Sequence, residues 1–257
     1  MNKIEELYDH FDEENRLLRS RESKVESETT SKFLAPYMKG AKVLEIGCGT
    51  GFYAVRFLKD YSSYTGVDIS SRNIRVFNQT LSKYDNKNVS AKIGDALSLD
   101  EQNETYDVVL NLGPLYHLNQ AERQKAIKES IRVCKKDGIL AFAYMNKFGN
   151  FVKLCCQEQF VGKYPNKKLL DNMLKKGTDD EEIFYFTSPD EIEDLLKKNK
   201  LTIEHHLSTD GVTMHHHRIA DFRDEEFMLW LEFHMATCEE PSIRGMGDHG
   251  LVICRKK

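Results

Sequence analysis

The stretch VLEIGCGTG, residues 43–51, contains a turn in which glycine occupies every second position. Glycine adopts positive φ angles readily, so such a turn can bring its backbone N–H groups against a ligand. The helix expected after the turn adds partial positive charge at its N-terminus. The pattern therefore predicts a ligand-binding loop, although a plain tight turn also fits the pattern taken alone.

Asp68 is a second candidate for ligand binding. It ends the next apolar run, YTGVDI, at the distance of about 20 residues from the glycines that nucleotide-binding folds show. An acidic side chain at this place accepts hydrogen bonds from both hydroxyls of a bound ribose. We therefore expect an adenosine-type ligand. The alternative role of Asp68 is to cap the helix that begins in SSRNIRVF, and the two roles are compatible.

The elements that must position these residues are predicted by apolar runs that alternate with amphipathic stretches. Strands separated by helices indicate βαβ units and a parallel sheet covered on both faces, which is an α/β, Rossmann-like fold. The predicted elements are strand 42–46, helix 51–59, strand 64–68, helix 71–83, strand 89–93, strand 106–111, helix 120–134 and strand 138–144.

The segments before and after these elements predict a cover and a lid. Apolar residues on one face predict a helix over residues 4–21, and a second, short helix is predicted over 31–38. Residues 146–186 show no strand pattern and are too long for an ordinary connection, so we expect an inserted lid there.

The remaining chain predicts a return to the sheet. A helix with Thr187 or Ser188 as N-cap is followed by a strand at LTIEHHL, a helix over about 224–237 and a closing strand at HGLVICR. The predicted division is a helical cover over 1–39, a core over 40–145, a lid over 146–186 and the C-terminal part of the core over 187–257.

Composition disfavours several classes of function. The 37 Lys and Arg against 41 Asp and Glu give a net charge of -4, so we expect neither a nucleic-acid partner nor a membrane surface. The charged start MNKIEELYDHFDEENRLLR is unlike a signal peptide, which favours a cytoplasmic location. The six cysteines are scattered, which favours reduced thiols.

Two further motifs carry a family resemblance. The third strand ends in IGDAL and the fourth in LNLGPLYHL, while the glycine turn reads E-x-G-x-G-x-G instead of the G-x-G-x-x-G of nicotinamide enzymes. In these motifs the sequence resembles the class I S-adenosylmethionine-dependent methyltransferases, from about residue 40 to 145 and more loosely to the end. With LGPLYHL, EENRLLR and EEPSIRGMGDHGLVICRKK it is similar to one bacterial group of them.

The resemblance implies a seven-stranded sheet with a reversed last strand, and S-adenosylmethionine as cofactor. The glycine turn would contact the methionine part of the donor with Glu45 orienting it, Asp68 would hold the ribose and Asp95 would face the adenine. Cys48 also fits a simple role as a small buried side chain. The cofactor-binding residues that the resemblance implies are Glu45, Gly47, Cys48, Gly49, Gly51, Asp68, Ile69, Asp95, Ala96, Asn111, Leu112 and Gly113.

The sequence gives weaker signals for catalytic and substrate-binding residues than for cofactor-binding residues. Methyl transfer is an in-line displacement that needs alignment, and a neutral alcohol or phenol acceptor needs a base as well. His117, with Tyr116, is the candidate base, and the alternative is that both pack against the following helix. The candidate substrate residues are Tyr8, Arg19, Tyr144 and His215.

Two other groups of residues contain side chains that can bind metals or act as thiols. The run MHHHR, residues 214–218, contains the commonest zinc ligand, but three adjacent histidines do not all face one side, so we expect no metal. Cys155 and Cys156 could trap a soft substrate such as arsenite if a third thiol were near, and helix packing is the alternative.

We therefore expect a methyltransferase that transfers a methyl group to the O, N, S or C atom of a small-molecule acceptor and releases S-adenosylhomocysteine. We expect it to act as a monomer or homodimer. The alternative is a non-catalytic protein that binds the donor as a sensor or regulator. A nicotinamide oxidoreductase is disfavoured by the spacing of the glycines.

Overall fold

The structure is a computed structural model that describes residues 13–84, 88–213 and 217–257 of the chain. Within these ranges, eight strands form one sheet with the order β3-β2-β1-β4-β5-β8-β7, and the short β6 pairs with β5. The strands are β1 (Lys42–Ile46), β2 (Ser63–Asp68), β3 (Val89–Ile93), β4 (Tyr106–Asn111), β5 (Cys134–Asn146), β6 (Phe186–Thr187), β7 (Thr202–Ser208) and β8 (His249–Arg255).

The sheet is mostly parallel. Strands β1 to β5 pair in parallel, whereas β8 runs antiparallel to both β5 and β7. The prediction of a Rossmann-like α/β sheet with a reversed last strand is confirmed. Because the strand order changes direction between β1 and β4, the carboxyl ends of these two strands border a crevice at which such folds bind ligands.

Helices cover both faces of the sheet. Val43 and Leu110 belong to the apolar core on one face, whereas their neighbours Leu44 and Val109 belong to the core on the other face, as the alternation of side chains along a strand requires. The helices are α1 (Arg21–Met38), α2 (Phe52–Arg56), α3 (Ser71–Leu81), α4 (Gln120–Val133), α5 (Lys147–Cys156), α6 (Lys167–Asp171), α7 (Pro189–Lys198), α8 (Asp224–Thr237) and α9 (Pro241–Arg244).

The N-terminal prediction was wrong where the structure describes it. Residues 13–20 form turns instead of the end of a helix, and α1 begins ten residues before the predicted helix over 31–38. Ser20 caps α1, since its side chain accepts a hydrogen bond from Ser23 N at 3.2 Å. The buried face of α1 includes Ser27 and Thr29, so apolar periodicity could not reveal it. Residues 4–12 of the predicted helix lie outside the described residues.

The segment predicted as a lid leaves the sheet at the end of β5 and returns at β6. It contains α5, α6, a 3₁₀ turn and a π-helical turn, packed around a small apolar cluster that includes Leu169 and Met173. Met145 pairs with Phe186 where the segment rejoins β5. The predicted capping of α7 is confirmed for Ser188, whose side chain accepts from Glu191 N. That the segment acts as a lid stays a prediction. In the part of the chain that the structure describes, every helix is too short or too polar to cross a membrane.

Candidate donor-binding and active site

A cavity of about 260 Å³ opens at the carboxyl edge of the sheet, where β1, β2 and β4 end. Ten of the twelve predicted cofactor residues line it. They are Glu45, Gly47, Cys48, Gly49, Asp68, Ile69, Asp95, Ala96, Leu112 and Gly113. The sequence-based set is therefore a spatial cluster, although it comes from four strand ends that lie up to 68 residues apart in the chain.

The glycine loop packs directly on the end of β4. Gly47 has a φ of +73°, and a Cβ added there would lie 2.5 Å from Pro114 Cδ. The backbone N–H groups of Gly47 and Cys48 both donate to Val67 O, at 2.7 and 3.1 Å. A side chain at position 47 would separate the loop from β4, so glycine is required here for both conformation and packing.

Asp68 connects the glycine loop to the start of α3. Its Oδ2 accepts a hydrogen bond from Gly49 N at 2.8 Å, and its Oδ1 accepts from Ser70 N at 2.8 Å. Burial raises the pKa of Asp68, while the bonds from Ser70 and Gly49 oppose that rise. The side chain that caps α3 belongs to Ser70, which accepts from Asn73 N, so the N-cap alternative for Asp68 is not what the structure shows.

Glu45 is a buried carboxyl group in the cavity wall. Its Oε2 accepts a hydrogen bond from the hydroxyl of Tyr64 at 2.6 Å. Burial, helped by the charges of Asp68 and Glu13, raises the pKa of Glu45 to about 8, although the hydrogen bond from Tyr64 opposes the rise. The carboxyl group is therefore mostly protonated at neutral pH and would ionise if a cation were bound beside it.

Arg16 is a cavity residue that the sequence reasoning missed. It lies in the turns before α1, and its Nε donates to Glu13 Oε1 at 3.0 Å. Burial lowers the pKa of Arg16, but the charges of Glu26 and Glu13 outweigh this and hold the pKa above its usual value. Arg16 lies in the quoted motif EENRLLR, whereas Arg19, the predicted substrate residue, is exposed and does not line the cavity.

Tyr116 and His117 line the cavity from a 3₁₀ turn that follows β4. His117 Nδ1 lies 3.2 Å from the carbonyl oxygen of Ile183, in the segment predicted as a lid. This contact places the ring proton on Nδ1, so Nε2 of the neutral ring carries a lone pair. Burial lowers the pKa of His117 to about 4, and the imidazole is therefore neutral at physiological pH.

Three predicted residues lie away from the cavity wall. Tyr144 is buried with its hydroxyl 2.8 Å from His206 Nε2. Asn111 donates from Nδ2 to Ser130 Oγ at 3.2 Å, toward α4. Gly51 packs behind the loop. That Gly51 and Asn111 contact the cofactor and that Tyr144 contacts the substrate stay predictions.

Two predicted substrate residues, Tyr8 and His215, lie outside the described residues. Within residues 13–84, 88–213 and 217–257, no group of three His, Cys, Asp or Glu side chains is arranged to hold a metal ion. All six cysteines are free thiols, and Cys48, Cys134, Cys238 and Cys254 are buried. The structure therefore brings no third accessible thiol to Cys155 and Cys156.

Comparison with known proteins agrees with this geometry. Residues 43–138 match the family model described as a methyltransferase domain. The match covers β1 to the start of β5 and includes the glycine loop, Asp68 and the turn of Tyr116 and His117. The matched domain and the fold support S-adenosylmethionine as the cofactor.

The alignments with curated relatives cover more of the chain than the matched segment 43–138, but they do not cover the whole of either protein. A ubiquinone biosynthesis O-methyltransferase of Pelagibacter ubique is 30% identical over 171 residues, which cover 65% of this chain and 64% of that protein. A norajmaline N-methyltransferase of Rauvolfia serpentina is 31% identical over 144 residues, covering 54% of this chain and 47% of that protein. The chain thus spans less than two thirds of these relatives.

Solved structures show the same fold over nearly the whole chain. The PH0226 protein of Pyrococcus horikoshii OT3 has a TM-score of 0.64 at 19% identity and covers 98% of this chain and 99% of its own. A magnesium protoporphyrin IX methyltransferase of Synechocystis PCC 6803, with bound S-adenosylhomocysteine, has a TM-score of 0.59 at 14% identity, covering 92% of this chain and 83% of its own. At these identities the likeness concerns the fold alone.

Proposed function

We propose that the protein is an S-adenosylmethionine-dependent methyltransferase that acts on a small-molecule acceptor and releases S-adenosylhomocysteine. The observation that carries the proposal is the cavity at the β1 and β4 strand ends, in which the glycine loop is hydrogen-bonded to Asp68. Open α/β sheets bind nucleosides at such strand ends, with a glycine loop and an acidic residue at the end of the next strand.

The residues of the cavity fit this donor. Asp68 would hold the ribose hydroxyls, and Asp95, beside Ala96, would face the adenine. Arg16 would pair with the donor's carboxylate, since an arginine fork matches carboxylate geometry. Glu45 would ionise beside the donor's positive charge. The cavity wall is otherwise acidic, as a cationic ligand requires, with Glu13, Glu14 and Glu122 also lining it.

The sulfonium group of the donor supplies a methyl group that is already activated for displacement. What the chain contributes is alignment in a closed site, which can account for about 7–11 kcal/mol of the barrier in such reactions. For a hydroxyl acceptor, we propose His117 as the base, because it lines the cavity and its hydrogen bond from Nδ1 to Ile183 O leaves Nε2 of the neutral ring unprotonated. Tyr116, in the same turn, would contact the acceptor.

A small acceptor is favoured over a nucleic acid. One relative, from Arabidopsis thaliana, is a tRNA (carboxymethyluridine(34)-5-O)-methyltransferase, 30% identical over 109 residues that cover 42% of this chain and 25% of that protein. Binding RNA requires Lys and Arg side chains on the phosphates. Here the chain carries a net charge of -4, and Arg16 is the one Lys or Arg among the described residues of the cavity wall.

The proposal is tested by donor-dependent product formation. The wild-type protein would be incubated with S-adenosylmethionine and either the small-molecule fraction of a cell extract or total tRNA, and S-adenosylhomocysteine would be quantified by mass spectrometry. We expect product with the small-molecule fraction and none with tRNA, and none with Asp68→Ala in either case. Donor binding without product in any fraction would favour the sensor or regulatory role instead.

A further inference from the structure

A chain of charged side chains runs from the cavity to the first residue of the last strand. Arg16 Nη1 donates to Glu26 Oε1 at 3.0 Å. Glu26 Oε2 lies 3.9 Å from His249 Nδ1, which in turn lies 2.8 Å from Asp210 Oδ2. The four residues come from the turns before α1, from α1, from β8 and from the segment after β7, so the fold and not local sequence brings them together.

The far end of this chain is fixed by tight packing. The Asp210 side chain is 1% exposed, against 17% for Glu26 and 24% for Arg16. The backbone N–H of His249 also donates to Asp210 Oδ2, at 3.2 Å. A Cβ added to Gly247 would lie 2.4 Å from Asp210 Oδ1, which shows how closely the two loops interlock. The end near Arg16, by contrast, lies in turns without regular secondary structure.

The charged side chains of this series shift one another's pKa values. Burial raises the pKa of Glu26, but Arg16 and His249 outweigh burial and hold the pKa below its usual value. Glu26 is therefore an anion between Arg16 and His249. Burial lowers the pKa of His249, but the charges of Glu26 and Asp210 outweigh burial and raise this pKa. His249 is faced by Glu26 from α1, by Asp210 and by Lys153 from α5, and the Lys153 ammonium lies 2.8 Å from Asp248 Oδ2.

We propose that Glu26 is a positioning residue for the amino-acid end of the donor, because it holds Arg16 at the cavity wall while His249, anchored on Asp210, holds Glu26. The inference rests on the proposed function, since it assigns Arg16 to the donor's carboxylate. An arginine side chain has many rotamers, and fixing it before the ligand binds removes part of the entropy cost of binding.

The test uses two ligands that differ only at the amino-acid end. S-adenosylhomocysteine carries the carboxylate and ammonium, whereas 5′-methylthioadenosine keeps the adenosine and thioether and lacks both. We expect Glu26→Gln to weaken S-adenosylhomocysteine about tenfold in calorimetric titration, the size of one charge-assisted interaction, and to leave 5′-methylthioadenosine within about twofold. The matched control is Glu28→Gln in the same helix, since Glu28 pairs with Arg56 at the surface, and it should change neither ligand.

A second variant and a double mutant separate positioning from structural damage. His249→Gln should reproduce the selective loss at about threefold, and it stands in if Glu26→Gln does not fold. In an Arg16→Gln background, Glu26→Gln should cause no further loss, because both act through one contact. Equal weakening of both ligands, or no weakening of either, would overturn the positioning role. If the wild-type protein bound neither ligand, both the proposed function and the positioning role of Glu26 would be overturned.

Discussion

The Asp68 carboxylate accepts a hydrogen bond from the backbone N–H of Gly49 at 2.8 Å, so one side chain both lines the cavity and fixes the loop that forms its floor. The contact therefore combines an acidic group that can bind a ribose with a backbone segment that can approach the amino-acid end of the same ligand.

Replacing Asp68 should weaken donor binding severely. Asp68→Ala removes the proposed ribose acceptor and the acceptor for Gly49, and we expect a loss of affinity for S-adenosylmethionine of about 100-fold or more, which corresponds to about 3 kcal/mol. Calorimetric titration measures it. Asp60→Ala, at an exposed aspartate before β2, is the control and should bind as the wild type does. Unchanged affinity in Asp68→Ala would remove Asp68 from the donor site.

The glycine at position 51 should be required for packing as well as conformation. Gly51 and Gly40 have φ angles of +89° and +70°, but an added Cβ meets Phe77 Cδ2 at 2.3 Å in the first case and open space in the second. Gly40→Ala should therefore lower the free energy of unfolding by about 1 kcal/mol, and Gly51→Ala by about 2–4 kcal/mol. Urea unfolding compares the two, and equal losses would show that the contact with Phe77 relaxes freely.

Donor binding should release a proton from Glu45. With its pKa at about 8, the group is mostly protonated at pH 7, and a bound cation favours the ionised form. Affinity for S-adenosylmethionine should therefore rise with pH until about pH 8 and then level off on account of this group. Titration at pH 7 in two buffers of different ionisation enthalpy counts the released protons. Glu45→Gln should abolish the release, and a release that persists in this variant would assign it to another group.

His117 should matter for turnover and not for donor binding. If His117 is the base, His117→Phe should leave affinity for S-adenosylmethionine unchanged and cut turnover of a hydroxyl acceptor by about 100-fold or more. Because the pKa of His117 is lowered to about 4, protonation of this ring should not depress kcat until the pH approaches that value. Wild-type turnover in the variant, or an inflection of kcat near pH 6.5 that His117→Phe leaves in place, would locate the base elsewhere.

Strands β1 and β4 were readable from sequence because they are buried almost throughout. The apolar runs at 42–46 and 106–111, and the alternating pattern at 89–93, whose side chains are half-buried or exposed, predicted three strands with the bounds that the structure shows. The helix over 224–237 was also placed correctly. Local composition, and the residues that end each element, identify these elements in the sequence. The carboxyl ends of these parallel strands meet at one edge of the sheet, and this groups the cofactor residues that the family resemblance implies.

What sequence reasoning missed depends on contacts between distant segments. The buried face of α1 carries Ser27, Thr29 and Thr30, whose polarity hides the helix from any search for apolar periodicity. Residue type does not distinguish Arg16 from Arg19. Arg16 lies at the cavity wall and pairs with Glu13 and Glu26, whereas Arg19 is exposed. Tyr144 was predicted to face substrate, but His206, 62 residues away, holds its hydroxyl in the core.

Calorimetric titration of the wild-type protein with S-adenosylmethionine, S-adenosylhomocysteine and NADH, in parallel, tests the central claim most directly. The cavity that joins the glycine loop to Asp68 predicts one binding site per chain, occupied at micromolar concentrations of the first two ligands and not by NADH. Binding of NADH alone, or of none of the three, would contradict the assignment of this cavity to a methyl donor.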